Sequence, residues 1–302
     1  MRKRIAIGVL VLVAFVWSQG VVTPHLTVFP QRDFDHDGLN NAREHHLGTN
    51  AFASDTDGDG IDDWLEVAKY GTSPTKADTD GDGYPDGVEL ASAPPIAGAD
   101  PLQKDVYVEI DYMRGAKPSG AALQQVTEAF ADAPIRNPDG STGIDLHLLI
   151  DDEIPRSART TPQNLTRIRR HYFDNASAGY HYAVFVSEVS NPGFVRTGFE
   201  ASSDTAREMA IEYHPGRYPG TFMHELGHSL GIDSADYEGV DSHAVSASTY
   251  PSVMNYNYDD AHLHFSHGGQ FDDWAHINDS TINPPPHGLR QCITSQAVGD
   301  DR

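Results

Sequence analysis

Cysteine is almost missing from this chain: Cys292, near the C-terminus, is the single thiol in 302 residues. One thiol excludes an internal disulfide, so any stapling in an oxidising compartment has to come from metal ions. The position of Cys292 also excludes a lipid-attached N-terminal cysteine. Positive charge is scarce as well. There are 21 basic side chains against 44 acidic ones, for a formal charge of -23, and only five of the basic residues are lysines. Such a surface repels nucleic acid and anionic lipid, so neither is expected as a partner. It suits a salty medium that screens the carboxylates from one another, and a halophilic source is the expectation. Long apolar runs are lacking too, apart from one at the start. Arg2, Lys3 and Arg4 precede an apolar run from Ile5 to Trp17, and Ser18-Gln19-Gly20 offers small residues before a cut at Val21. The run is short of the about 20 residues a spanning helix needs. A signal peptide over 1–20 and an uncleaved anchor extended by Val21 and Val22 both stay open. Either one makes the chain secreted or cell-surface, with 21–32 as a linker.

What the chain does have is an acidic repeat with a period of about 22 residues. Its copies run Asp33-Phe-Asp35-His-Asp37-Gly38, Asp55-Thr-Asp57-Gly-Asp59-Gly60 and Asp78-Thr-Asp80-Gly-Asp82-Gly83, and each has a Glu at the twelfth position: Glu44, Glu66 and Glu89. Calcium takes six to eight oxygens, and carboxylates at positions 1, 3 and 5, a carbonyl at 7 and a bidentate Glu at 12 can wrap around it. Glycine at position 6 permits the bend. A solvated acidic linker could carry one such loop by chance, but three in tandem argue against it. An EF-hand pair is also a poor fit. Ten residues separate Glu44 from Asp55, and they carry turn residues, as does Gly71-Thr72-Ser73-Pro74 in the next gap. No room is expected for flanking helices. Residues 33–100 instead resemble thrombospondin type 3 repeats, which implies a chain organised by calcium around little hydrophobic core. Three bound ions would bring the formal charge to about -17. The Ala-, Pro- and Gly-rich stretch 91–101 reads as the module's end.

Beyond it the periodicity changes. Strands are expected over 106–110, 144–150 and 182–189, with helices over 119–131, capped by Ser119, and over 164–173. Strands alternating with helices indicate an α/β layer on a sheet. Then comes Pro219-Gly-Thr-Phe-Met-His224-Glu225-Leu-Gly-His228-Ser-Leu-Gly231, a helix stopped by glycine. Histidines at i and i+4 share one helical face, roughly 6 Å apart along the axis, and together can hold one zinc ion. Glu225 is placed to act as a general base. A buried helix with two histidines also occurs without metal, so this pattern alone is only moderately specific. Tyr250-Pro-Ser-Val-Met254-Asn-Tyr256 follows it downstream.

Residues 219–258 resemble the zinc helix and Met-turn of metzincin peptidases. The resemblance implies a zincin-like α+β domain with a mixed sheet over about 101–280. It also implies that Met254 forms the floor under the zinc, and that Tyr256 is a ligand or a hydrogen-bond donor to the transition state. Ordinary core roles for Met254 and Tyr256 are the plain alternative. One departure stands out: the family's third ligand falls three residues after the glycine, where this chain has Ser234. Asp241, beyond a second glycine, is the favoured replacement. Asp233 is the other leading candidate, and Asp236 and His243 are weaker ones.

The expected activity is therefore zinc-dependent hydrolysis of protein or peptide substrates, with Zn2+ and Ca2+ as cofactors. The rival is a calcium-dependent adhesion protein with an inactive peptidase-like domain, motivated by Ser234 and opposed by the intact Glu225. A peptidase with a downstream glutamate ligand ranks last, since Glu238 is the only candidate. His262, His264 and His267 read as loop polarity first, with substrate-side residues or another metal site as the alternatives. A short helix is expected over 271–277, and 281–302 reads as a flexible tail.

Overall fold

A computed structural model describes residues 30–91, 96, 98–189, 194–196, 208–215, 217–232, 245–257, 263–279 and 282–283. The apolar N-terminal run, Asp233, Ser234, Asp236, Glu238, Asp241, His243, His262, Cys292 and the tail beyond 283 lie outside the described residues. No helix among the described residues is long and apolar enough to cross a membrane.

Each acidic loop leads into a short helical turn: α1 (Asn41–Leu47), α2 (Asp63–Leu65, continued by a wider turn over Glu66–Tyr70) and α3 (Asp86–Glu89). The short, turn-rich gaps are not expected to hold flanking helices, and one fits after each loop because it is so brief. Gly48 and Gly71 stop the first two in left-handed conformations, φ 87° and 80°. The interior of this region is more carboxylate than hydrocarbon. Glu44, Asp59, Asp63, Glu66, Asp80, Asp82, Asp86 and Glu89 are buried, beside Leu39, Ala51, Ile61, Tyr84 and Val88.

A recurring bond joins each unit to the next. The fifth-position aspartate accepts a backbone N–H from the following unit: Asp37 Oδ2 from Trp64 at 3.2 Å and Asp59 Oδ2 from Gly87 at 3.2 Å. Glycine is required at 87, because a Cβ there would sit 2.3 Å from the Asp59 carbonyl oxygen. The series does not stop at the third loop. Asp82 Oδ2 accepts from Asp105 N at 2.9 Å, and Asp105 opens the first strand of the following sheet.

That sheet has five strands in the order β2-β1-β3-β5-β4: β1 (Asp105–Met113), β2 (Asp145–Ile154), β3 (His181–Val186), β4 (Phe194–Arg196) and β5 (Glu208–Glu212). The first three and β5 are parallel to their neighbours, and β4 closes the edge antiparallel to β5. The chain is thus mixed α/β with four parallel strands. The third strand ends at Val186 rather than running to 189; Val189 makes only an isolated bridge to Thr160. β4 and β5 carry too few apolar residues to announce themselves in the sequence.

Helix α4 (Gly120–Ala131) is capped by Ser119, whose side chain accepts from Ala122 N, and it buries Leu123, Val126 and Phe130. Helix α5 (Pro162–Tyr172) starts at the Thr161 cap. Helix α6 (Tyr218–Ser229) packs on β5 and against α4, and α7 (Asp273–Asp279) follows downstream. Phe130, Phe265 and Trp274 meet edge-to-face with centroids 5.0 to 5.9 Å apart, tying α4, the 263–267 segment and α7 into one core.

Candidate functional site

The acidic loops bring carboxylates close enough together to share a cation. The carboxylates of Asp33, Asp35 and Asp37 converge so that one oxygen from each lies within 4.8 Å of the others. Asp55, Asp57 and Asp59 do the same, and so do Asp78, Asp80 and Asp82. In each loop the first aspartate accepts the N–H groups of positions 4 and 6: His36 and Gly38, Gly58 and Gly60, Gly81 and Gly83.

Other oxygens in the loops are buried without a hydrogen-bond partner among the described residues: Asp35 Oδ2, both of Glu44, Asp57 Oδ2, Glu66 Oε2, Asp80 Oδ2 and both of Glu89. A buried neutral polar group without a partner costs about 2–7 kcal/mol and an ionised carboxylate far more, unless something positive meets it. Burial, reinforced by the neighbouring carboxylates, pushes Glu44 up to about 7, Glu66 and Asp80 up to about 8, and Glu89 up to about 12. The donor set is all oxygen, at least four carboxylates per loop, and fits calcium.

The second candidate site lies on α6. Pro219 sits in its first turn, and Gly231, at φ 105°, turns the chain away just past its end. His224 Nδ1 donates to the Val253 carbonyl at 2.8 Å, and His228 Nδ1 donates to the Ile232 carbonyl at 2.7 Å. A neutral imidazole that donates from Nδ1 carries a bare lone pair on Nε2. The two Nε2 atoms face each other at 3.2 Å. Two lone pairs repel at that distance unless a cation lies between them, so the pair fits a shared metal ion. Burial and the neighbouring His228 push His224 down to about 4, keeping the ring neutral, with the Val253 carbonyl partly opposing the shift.

Glu225 is fully buried, and neither of its carboxylate oxygens has a hydrogen-bond partner among the described residues. Burial pushes its pKa up to about 8. Met254 lies directly beneath the helix. A Cβ on Gly227 would stand 2.6 Å from its sulfur and 2.7 Å from the Phe265 ring, so the glycine between the histidines lets the helix rest on this floor. The Tyr256 ring lies 5.2 Å from that of His224, with the residue more than half exposed, and burial together with the Glu225 charge raises its pKa.

The structure therefore brings together His224, Glu225, His228, Met254 and Tyr256. The candidate third ligands Asp233 and Asp241 lie outside the described residues. Of the downstream histidines, His267 meets Asp272 at 3.5 Å, and the His264 carbonyl accepts from Val253 N at 3.0 Å.

Supporting residues escaped the sequence reading. Asp273 is fully buried and accepts from Tyr250 OH at 2.8 Å, Ser252 OH at 2.5 Å and Ser266 N at 3.0 Å, fixing the turn that carries Val253 and Met254. Asn255 Nδ2 donates to the Tyr250 carbonyl at 2.8 Å and holds the same turn from inside. Nothing local in the sequence marks either residue, because their partners are defined only by the fold.

The family model of the bacterial TSP3 repeat matches residues 55–77 and 78–92, the second and third acidic units. No curated protein matches the chain. Among solved structures, metalloproteinase-II from Bacteroides fragilis aligns with 13% identity and a TM-score of 0.37, over 58% of this chain and 52% of that one. A chaperone–substrate complex aligns with 15% identity and a TM-score of 0.38, over 60% of this chain and 35% of that one. The chain thus spans about half, or less, of the length of these structures.

Proposed function

We propose that this chain is an exported zinc-dependent endopeptidase, with a zincin-like catalytic domain over 101–280 behind a calcium-loaded module over 33–100. The observation that carries the reading is the pair of bare Nε2 atoms facing each other beside a buried, unpartnered carboxylate. Two histidines kept only for packing would have no reason to be oriented by two separate backbone carbonyls with their lone pairs aimed at each other.

His224 and His228 would hold the zinc, with Asp241 or Asp233 as the third donor. Zinc, when bound, would supply a Lewis acid that polarises the scissile carbonyl and acidifies a water molecule. Glu225 takes a proton from the attacking water. As the C–N bond breaks, it returns that proton to the leaving amine. Its carboxylate is suited to this because no side chain among the described residues competes for it. Tyr256, at the rim, donates its hydroxyl hydrogen to the oxygen on which charge develops. Val253, through its carbonyl, keeps His224 in the tautomer that leaves Nε2 free. An oxidising, saline exterior suits a chain whose cross-links are ions rather than disulfides.

The test is cleavage of an unfolded protein by the full chain in high salt with calcium and zinc, beside Glu225→Gln. Loss of the general base is expected to lower the rate by about 10²–10⁴-fold while zinc stays bound. A folded, zinc-bound parent without activity would shift the reading to a calcium-dependent adhesion protein, the alternative that Ser234 motivates.

A further inference from the structure

The third acidic loop and the zinc helix are joined by a continuous set of buried hydrogen bonds. At the loop end, Asp82 is fully buried and bonded on three sides. Its Oδ1 accepts from Tyr84 N at 2.8 Å, its Oδ2 from Asp105 N at 2.9 Å, and its carbonyl from Asn283 N at 3.2 Å and Asn283 Nδ2 at 3.0 Å. Asn283 Nδ2 also donates to the Asp105 carbonyl at 2.6 Å, so one side chain clamps the loop to the start of β1.

The residue before it continues the path. The Ile282 carbonyl accepts from His181 Nε2 at 2.8 Å. With Nε2 donating, Nδ1 of the neutral ring accepts, and Ser229 OH donates to it at 2.7 Å. Ser229 is the last residue of α6, next to His228. His181, Ser229, Ile282 and Asn283 are all buried. The third unit is also packed into the α/β core. The Tyr84 ring is fully buried edge-to-face on Tyr107, its hydroxyl donates to the Gly179 carbonyl at 3.1 Å, and Lys104 Nζ donates to the Asp80 carbonyl. In the first two loops the long-range bond of the fifth-position aspartate runs instead to the next repeat unit.

We infer that calcium in the third loop holds the zinc helix in place, with Asn283 and His181 as the positioning residues that connect them. A bound ion fixes Asp80 and Asp82 and hence the carbonyl that Asn283 grips. Residues 282–283 are then fixed over His181, and His181 orients the C-terminal end of α6. The coupling is reciprocal, so an ion at either end tightens the other. The inference rests on the calcium half of the proposed function and deepens the zinc half by assigning it a regulator.

The test is backbone hydrogen exchange across residues 218–229 in the full chain without zinc, in calcium and then in chelator. Calcium is expected to slow exchange there by at least about fivefold, the lower end of ordinary coupling between sites. Asp57→Asn, in the second loop, should leave that ratio standing, and Asp80→Asn, in the third, should abolish it. Asn283→Ala should keep the third-loop ion, counted by calcium stoichiometry, yet bring the ratio close to one; a merely destabilised variant would exchange faster in both conditions and keep the ratio. If Asp80→Asn does not fold, Asn283→Ala decides alone. Exchange in α6 that ignores calcium in the parent overturns the inference. So does an unchanged ratio in Asn283→Ala, or its loss in Asp57→Asn. Because zinc is absent throughout, a failure of zinc binding would count against the peptidase reading and not against this one.

Discussion

Both halves of this molecule bury carboxylates, but they treat them in opposite ways. In the α/β half, Glu109 accepts from Asp174 N at 2.9 Å, Asn175 N at 2.9 Å and Asn175 Nδ2 at 2.7 Å. Asp273 accepts from two hydroxyls and an N–H, and Asp105 accepts from Asp100 N at 2.9 Å and faces His147. Those acids need nothing from outside, since the chain's own donors have replaced water. In the repeats, Glu44, Glu66 and Glu89 are equally buried and keep oxygens with no donor. The difference separates acids that are structure from acids that are ligands. By that criterion Glu225 belongs with the loops although it lies in the other half, because both its oxygens are left open.

Calcium removal should break the comparison most visibly. An ion at a hundred times its dissociation constant stabilises the folded state by about 2.7 kcal/mol, so three loops together are worth about 8 kcal/mol. Chelation should therefore lower the thermal midpoint of the full chain and expose residues 33–90 to protease first. A midpoint indifferent to chelator would mean that the open oxygens of the repeats are not ligands.

A pair of substitutions sharpens the same contrast through its sign. Asp273→Ala strands Ser266 N–H and two buried hydroxyls, and should cost about 2–4 kcal/mol in urea titrations with or without calcium. Glu66→Gln should destabilise in calcium by about 1–3 kcal/mol through the lost ligand. In chelator it should be neutral or mildly stabilising, since it removes a buried charge that has no counterpart. Matching signs for the two variants in chelator would erase the distinction between them.

How much of this was legible beforehand depends on the reach of the interactions. The loops and the zinc helix are set by spacing within about a dozen residues, so their donor residues can be read directly. Ser119 announces a helix start for the same reason, whereas the helix expected over 164–173 begins at Pro162, behind the Thr161 cap. The strand runs over Asp105–Met113, and the expectation of 106–110 falls short of it because Asp105 and Asp111, at its two ends, look like strand-ending charges. These and Glu109 between them are tolerated inside the sheet only through partners 40 to 70 residues away, such as Tyr182 and Asn175. Sheet order, the Asp273 clamp and the path through Asn283, whose partner Asp82 lies 201 residues away, are of this long-range kind. No local pattern encodes them.

The smallest effect concerns a well-partnered acid whose proton affinity still shifts. Asp111 is buried in β1, accepts from Tyr182 OH and from Asp152 N at 2.9 Å, and is nevertheless pushed up to about 6. Burial is the leading cause; the two hydrogen bonds oppose it, and Asp152 and Asp151 add repulsion. A carboxyl whose folded pKa exceeds its unfolded value binds its proton more tightly when folded. Its contribution to stability is therefore full below about pH 4, is lost as pH rises to about 6, and is level above that. Asp111→Asn cannot titrate, and its amide can still meet Tyr182, whose hydroxyl is able to accept as well as donate. Relative to the parent, the variant should thus gain about 1–3 kcal/mol between pH 4 and pH 7, read as the difference between paired urea titrations so that the loops' own titration cancels. A constant difference across that range would place Asp111 with the fully compensated acids. A gain confined to that window would show that hydrogen bonds to a buried carboxylate offset its desolvation only in part, leaving the full compensation to the cations of the other half.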